Sequence, residues 1–321
     1  MKLDQDELTR LAGEHRFQVA ALEKVIRLGD LLVEFSRNPL LRDGLLLKGG
    51  TALNLCFGPP LRLSVDLDFN YVRAEGRDQM LADQPELERA IRRIAETRAY
   101  RVQASRDEHA GRKLFLGYQA ASGTPDRIEV DVNYLHRVPL VSPIERTCWQ
   151  PGQYPAPQAR LVGMEELAAG KLCALLDRAA PRDLYDAVRL PELARHVWAT
   201  PRFRGAFVAL AGTLPHPVHS YTAARLDRAS DAAIREQLYP LLGGRDALPS
   251  PSALREGAGA VVEPLLRLTD AEREFTDRLQ VGELRPDLLF PDDEETARRV
   301  SRHPGLLWKV ENAVRPRGES R

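Results

Sequence analysis

Nowhere does this chain run apolar for the roughly 20 residues that a bilayer crossing needs. Its first residues, Met1-Lys-Leu-Asp-Gln-Asp-Glu7, lack the basic stretch and apolar core of a secretory leader. These two absences lead us to expect a cytoplasmic protein with no membrane partner. Cysteine is scarce: Cys56, Cys148 and Cys173 form no C-x-x-C pair and no regular spacing. An odd count without a framework fits a reducing compartment. Net charge is absent too, because 46 Lys and Arg balance 46 Asp and Glu. No global field draws in nucleic acid, so any RNA or DNA surface has to be a local patch. Histidine offers no metal spacing. His216 and His219 fall in the proline-rich Leu214-Pro-His-Pro-Val-His219, which reads as a loop rather than a zinc site.

What is present is a chain of 321 residues, 43% hydrophobic but only 6% aromatic. That suits one large or two ordinary domains rich in helix. Apolar spacing predicts a helix over Phe17 to Phe35, ending near Asn38-Pro39. Leu45 to Leu47 reads as a buried strand entering the Gly49-Gly50 turn, with a short helix from Thr51 to Cys56. Leu63 to Val72 alternates, with Ser64, Asp66, Asp68 and Asn70 on one face, and reads as a single strand. Glu86 to Glu96 reads as a helix, and Tyr100 to Ala104, Lys113 to Ala120 and Arg127 to Leu135 as strands. A mixed sheet of three to five strands follows from this.

Pro139 to Pro157, with five prolines and little periodicity, reads as a linker or crossover. Helices are then expected over Met164 to Asp177, Pro181 to Arg189, Arg202 to Leu210, Ala229 to Leu241, Ala260 to Leu279 and Glu294 to Arg302. Gly243 to Pro251 reads as a loop, and Arg315 to Arg321 as a frayed end.

The chemistry gathers around Asp66 and Asp68. Residues two apart on a strand point the same way, with Cα atoms about 6 to 7 Å apart. Two such carboxylates repel unless a cation lies between them, and Mg²⁺ takes a few carboxylates while keeping positions for water and phosphate oxygens. An isolated D-x-D is usually two solvated acids, so context decides. Upstream lies Lys48-Gly49-Gly50-Thr51 at a strand-to-helix junction. Glycines let a phosphate approach the backbone, the helix start offers N–H groups, and Thr51 adds a hydroxyl that could cap the helix. It is not a P-loop, since no Gly-Lys-Ser/Thr follows. Asp131 is the candidate third carboxylate, with Glu129 as its competitor on the same strand face. Arg62 either contacts phosphate or pairs with one of the acids.

Leu47-Lys-Gly-Gly-Thr-Ala-Leu53 and Arg62-Leu-Ser-Val-Asp-Leu-Asp-Phe69 resemble the first motif of the AbiEii/AbiGii toxin family, nucleotidyltransferase-like toxins of type IV systems, among which are the MenT toxins. Met164 to Arg178, with Lys171, and Pro181-Arg-Asp-Leu-Tyr-Asp-Ala-Val188 resemble the family's lysine helix and the segment after it. Together these motifs lie within the first 190 residues. The usual nucleotidyltransferase signature has Gly-Ser where this chain has Gly-Gly-Thr, which leaves open whether Gly50 or Thr51 makes the key contact.

The resemblance implies an α+β fold, a nucleotidyltransferase-like mixed sheet with helices over residues 1–157. A mainly helical C-terminal domain, residues 158–321, would add Lys171 and Asp186 to the site. It implies metal binding by Asp66 and Asp68, to which the strand reading adds Asp131, with catalytic roles for Asp66, Asp68, Lys171 and Asp186. Gly49, Gly50, Thr51, Arg62 and Ser64 would lie at the NTP, and Ser64, ahead of the first aspartate, is a position that phosphate modifies in the family. Taken alone, Lys171 reads as a surface lysine on a core-facing helix, and Arg182, Asp183 and Asp186 as charges that suit a helix start.

The activity implied is transfer of NMP from an NTP bound with Mg²⁺, or alternatively Mn²⁺, to an RNA acceptor such as the 3′ end of tRNA. A cognate antitoxin is the implied protein partner. Arg195, Arg202, Arg204, Arg225 and Arg228 are candidates for an RNA surface. The competing readings are a nucleotidylyltransferase acting on a protein or small molecule, and a non-catalytic NTP-binding partner protein.

Overall fold

A computed structural model describes residues 3–105, 111–244 and 248–314. The chain forms two compact units, one of residues 1–137, 143–162 and 235–248, the other of residues 138–142, 163–234 and 249–321.

The first unit begins with α1 (Gln5–His15), which the sequence reading missed, and α2 (Val19–Arg37). Asp4 caps α1 by accepting from the N–H groups of Asp6 and Glu7. Asn38 ends α2 and caps the next helix, α3 (Pro39–Gly44), where proline takes the first helical position. β1 (Leu45–Lys48), α4 (Gly49–Leu55) and β2 (Leu67–Tyr71) follow, then α5 (Arg77–Thr97), longer than expected and tolerant of an internal Pro85. β3 (Arg101–Ala104), β4 (Gly111–Gln119), β5 (Pro125–Asn133), β6 (Ile144–Thr147) and β7 (Gln158–Leu161) complete the sheet.

The sheet has seven strands in the order β3-β4-β5-β2-β1-β7-β6, more than the three to five expected. It is mixed: β2 runs parallel to β5 and antiparallel to β1, which is parallel to β7. The expected linker over Pro139 to Pro157 instead supplies β6, which pairs antiparallel with β7. One face of the sheet is apolar. Leu45, Leu47, Leu67, Phe69, Leu114, Leu116, Ile128, Val130 and Val132 are all buried, and α2 and α5 lie on that side. Arg112 on the same face reaches Glu88 of α5 at 3.0 Å. The opposite face carries the polar residues of each strand, which is why the alternation was legible.

Two corrections bear on the site. The expected strand from Leu63 begins only at Leu67, so Asp66 lies on the loop ahead of β2. That loop is drawn to a distant segment: Leu63 N–H donates to Leu241 O, Gly243 N–H to Leu61 O, and Arg62 bridges Leu242. Also, Cys56 and Cys148 are joined as a disulfide, where the sequence reading saw no pairing, leaving Cys173 free and buried.

The second unit is helical: α6 (Met164–Arg178), α7 (Pro181–Leu193), α8 (Pro201–Ala211), then α9 (Asp231–Gln237), which runs across the division. Next come α10 (Pro251–Leu266), α11 (Asp270–Gln280), α12 (Glu294–Ser301) and α13 (Pro304–Val314). The single helix expected over Ala260 to Leu279 is broken in two, because Thr269 forms a capping box with Glu272 and starts a new helix. The expected helix to Leu241 stops at Gln237. Residues 245–247 of the expected loop and the expected frayed end at 315–321 fall outside the described residues. Among the described residues no helix is long and apolar enough to cross a membrane.

Candidate active site

β1 delivers the chain into a turn at Gly49, whose φ of +68° is left-handed. A Cβ at Gly49 would sit 2.3 Å from Asp68 Oδ2, so the absent side chain is what lets the turn lie against that carboxylate. A Cβ at Gly50 would sit 2.7 Å from Ser64 Oγ and 3.1 Å from Arg62 Nη2. Close approach therefore favours glycine at both positions, and the left-handed turn requires it at Gly49.

Thr51 does not cap α4; the cap position is Lys48, without a side-chain bond. The Thr51 hydroxyl instead donates to Asp66 O and ties the Asp66 loop to the start of α4. Arg62 is 1% exposed and donates from Nη1 to Leu63 O at 2.8 Å, behind the Gly50 backbone. Ser64 is likewise buried against the turn.

The sheet register aligns one row of charges. Lys48 of β1 is directly opposite Asp68 of β2, Asp68 is opposite Asp131 of β5, and Asp131 is opposite Lys113 of β4. Directly opposite residues share a face. The row thus reads positive, negative, negative, positive across four strands. Asp131, not its competitor Glu129, is the residue beside Asp68; Glu129 is ion-paired with Lys113. Lys113 Nζ also lies 3.7 Å from Asp131 Oδ2. Burial pushes the Asp131 carboxyl above its ordinary range, while Lys48 and Lys113 pull the other way. The Lys113 ammonium is held above its usual range by its bond to Glu129. Past the end of β5, burial and then Lys48 push His136 down to about 4, which keeps its imidazole neutral at neutral pH.

Among the described residues no three His, Cys, Asp or Glu side chains converge into a metal cage. The donor set still fits Mg²⁺, which needs only one or two protein carboxylates and fills its other positions with water and phosphate oxygens. Asp68 and Asp131, adjacent and both anionic, are the pair that a divalent ion would relieve, with Asp66 at the loop beside them.

Lys48, Lys113 and His136 were not among the expected site residues. Lys48 was visible as the residue before the glycines. Lys113 needed the β4–β5 register, which no local pattern gives.

In the second unit, Lys171 of α6 is buried, not a surface lysine. Its Nζ lies 2.8 Å from Asp183 Oδ1 and 2.7 Å from Asp186 Oδ2, both on α7. Arg178 Nε reaches Asp183 Oδ2 at 2.7 Å. Burial would raise the Asp183 carboxyl, but Lys171 and Arg178 prevail and hold it well below the carboxylate range. Asp183, read from sequence as one of the charges at a helix start, is an equal partner of Lys171 with Asp186. Of the arginines considered for RNA, Arg202 is bonded to Glu165, Arg204 to Glu272 and Arg267 O, and Arg225 to Asp177 O. Those three are engaged within their own unit.

A mixed sheet with a glycine turn pressed on paired strand carboxylates marks the class as a nucleotidyltransferase. The family described as "Nucleotidyl transferase AbiEii toxin, Type IV TA system" matches residues 30–255, and the chain belongs to it. It is a nucleotidyltransferase toxin of the type IV toxin–antitoxin kind, a family that implies an antitoxin partner and an NTP substrate. Among solved structures the fold is similar to "MenT4, nucleotidyltransferase toxin Rv2826c from Mycobacterium tuberculosis H37Rv", with a TM-score of 0.61 and 18% identity over 95% of this chain and 99% of that one. A search of curated proteins found no match.

Proposed function

We propose that the chain transfers a nucleoside monophosphate from an NTP to a hydroxyl at the end of an RNA, such as the 3′ end of tRNA. The observation that carries this reading is the Asp68–Asp131 pair set against the Gly49 turn. Asp68 and Asp131, with Asp66, would hold Mg²⁺ or Mn²⁺. When bound, the ion neutralises triphosphate charge and makes the acceptor hydroxyl easier to deprotonate. Gly49 and Gly50 let the triphosphate reach backbone N–H groups. Thr51 keeps the Asp66 loop in place through its bond to Asp66 O. Arg62 and Ser64 support the turn from behind, and phosphate on Ser64 would put negative charge against it.

The acceptor oxygen attacks the α-phosphorus in line, the α–β anhydride bond breaks, and pyrophosphate leaves. Positioning and charge neutralisation supply most of the acceleration. The resemblance gives Lys171 a phosphate-holding role and Asp186 the task of orienting it; the 2.7 Å contact between them supports the second assignment. Its location is proposed to be the cytoplasm, where tRNA and NTP are at hand.

The test incubates the purified chain with tRNA, labelled NTPs and magnesium. Label should move to RNA and be lost in Asp68→Asn and Lys171→Ala. Label on protein or on a small acceptor instead would replace the RNA reading, and NTP binding without pyrophosphate release would remove the catalytic one.

A further inference from the structure

The polar face of the sheet does not end at the charge row. On β4, Lys113, Phe115 and Gly117 point the same way, since they are two apart. The register continues the rows: Phe115 lies opposite Glu129 of β5 and Gln103 of β3, and Gly117 opposite Arg127 of β5 and Arg101 of β3. Each row lies about 7 Å beyond the last. The first of them is the row that holds Asp131.

Phe115 is only half-buried, although the other face of the same strand packs Leu114 and Leu116 into the core. Its ring is not needed to fill that core. Arg127 lies over the ring, its guanidinium carbon 4.8 Å from the centroid. Arg101, Gln103 and Arg127 are exposed. Neither Arg101 nor Arg127 has a carboxylate partner among the described residues. The face's own acid, Glu129, is taken by Lys113. Asp126, at the margin, is paired with Lys24 at 2.9 Å. Arg101, Gln103, Phe115, Gly117 and Arg127 line one shallow concavity of about 640 Å³. Gly117 leaves its floor without a side chain between the two arginines.

We propose that this face of β3, β4 and β5 is the docking platform for the unpaired end of the acceptor strand. One base stacks on Phe115, and Arg101 and Arg127 hold the phosphates on either side, so that the strand runs along the sheet toward Asp131. This rests on the reading that the acceptor is RNA. Two features favour a single strand over other polyanions. A half-buried aromatic ring with an arginine over it suits an unstacked base, which a duplex does not offer. The arginines without ion pairs supply the complementary charge, and the platform is continuous with the carboxylates where transfer takes place.

The experiment measures binding of the full chain to a fluorescently labelled single-stranded RNA oligonucleotide with a free 3′ hydroxyl, by anisotropy, over a range of salt. Phe115→Ala should weaken binding by about tenfold, and Phe115→Trp should restore it. Arg101→Ala and Arg127→Ala should each reduce the slope of log affinity against log salt by about 0.7. Gly117→Leu should block binding by filling the floor; a Cβ there meets its nearest neighbour, Arg101 O, at an ordinary 3.6 Å, so the fold is spared. Thermal melting and Mg-NTP calorimetry on each variant check the fold and the nucleotide side.

Unchanged RNA affinity in Phe115→Ala and Gly117→Leu, in a wild type that binds and labels RNA, overturns the platform and leaves the acceptor reading standing. The same is true if a duplex competes as well as the single strand. A wild type that binds no RNA and labels another acceptor overturns both.

Discussion

Placing a methyl group at Gly49 tests the contact on which the site reading depends. In Gly49→Ala the new Cβ would lie 2.3 Å from Asp68 Oδ2, 3.0 Å from Cγ and 3.1 Å from Cβ. Ordinary contact begins near 3.4 Å, so the carboxylate must retreat by about 1 Å. The backbone at φ +68° adds a left-handed strain of about 1–2 kcal/mol, and moving Asp68 off its rotamer adds about 0.5–1.5 kcal/mol. The expected stability loss is about 2–3 kcal/mol, a Tm drop of roughly 5–10 °C. The kinetic loss is larger, because about 1 Å of misplacement costs on the order of 100-fold in rate. Gly123→Ala is the control. It carries the same kind of strain, at φ +85°, with nothing within 4 Å of its Cβ. It should lose stability without losing transfer. The assays are thermal melting, Mn²⁺ titration and single-turnover label transfer. Gly49→Ala that binds Mn²⁺ and transfers label like Gly123→Ala would refute the argument that Asp68 needs a bare turn against it.

Lys113→Met removes a cation 3.7 Å from Asp131; Mn²⁺ should bind about two- to fivefold more tightly, given the modest worth of a half-exposed pair, and equal or weaker binding by calorimetry would contradict this. Asp183→Asn leaves buried Lys171 short of one carboxylate and should cost about 3 kcal/mol, the low end for a broken buried pair because Asp186 stays. Since the Asp183 carboxyl is depressed in the fold, its contribution is complete above the unfolded value of about 3.9 and is lost as pH falls below that toward the folded value. Urea midpoints of wild type and variant should therefore converge below about pH 4, and parallel curves would sink the assignment. Reducing Cys56–Cys148, which closes a separation of 92 residues, should lower Tm by the equivalent of about 2–4 kcal/mol; absence of the cross-linked peptide in non-reduced digests of the oxidised protein would show the pair is not joined. Chelation by EDTA should stop transfer and leave Tm unmoved, and a melting point that falls by several degrees would make the ion structural.

How far the sequence could be read depended on whether a signal was local. β5 was legible because its inner residues, Ile128, Val130 and Val132, pack under helices while Glu129 and Asp131 face outward. The lysine helix and the glycine turn were legible through resemblance. β6 was not, because Ile144–Thr147 is a short edge strand with no apolar face to alternate. The loop position of Asp66 was hidden because the bonds that draw residues 61–63 aside come from 241–243, about 180 residues on. Thr51 shows the same limit: a hydroxyl at a helix start is the usual sign of a cap, and only the fold shows it bonded to Asp66 O. Asp183 was seen as one charge among several, since the distance to Lys171 is set by how α6 meets α7.

The charge row links β1, β2, β5 and β4 at the site. Two carboxylates directly opposite on neighbouring strands destabilise a sheet by a few tenths to about 1 kcal/mol, and an opposite-charge pair returns a similar amount. Asp68 and Asp131 are the unfavourable pair; Lys48 and Lys113 flank it on either side. The row sums to zero, so the sheet closes without help from an ion, unlike a structural metal site that folds only when loaded. That neutrality has a functional side. A bare divalent ion entering the row makes it net positive, whereas an ion arriving with a triphosphate brings its own compensating charge. In the proposed function, the flanking lysines would weaken the site for free metal and favour the metal–nucleotide complex. It is the position of β2 between an antiparallel β1 and a parallel β5 that brings these four residues into line.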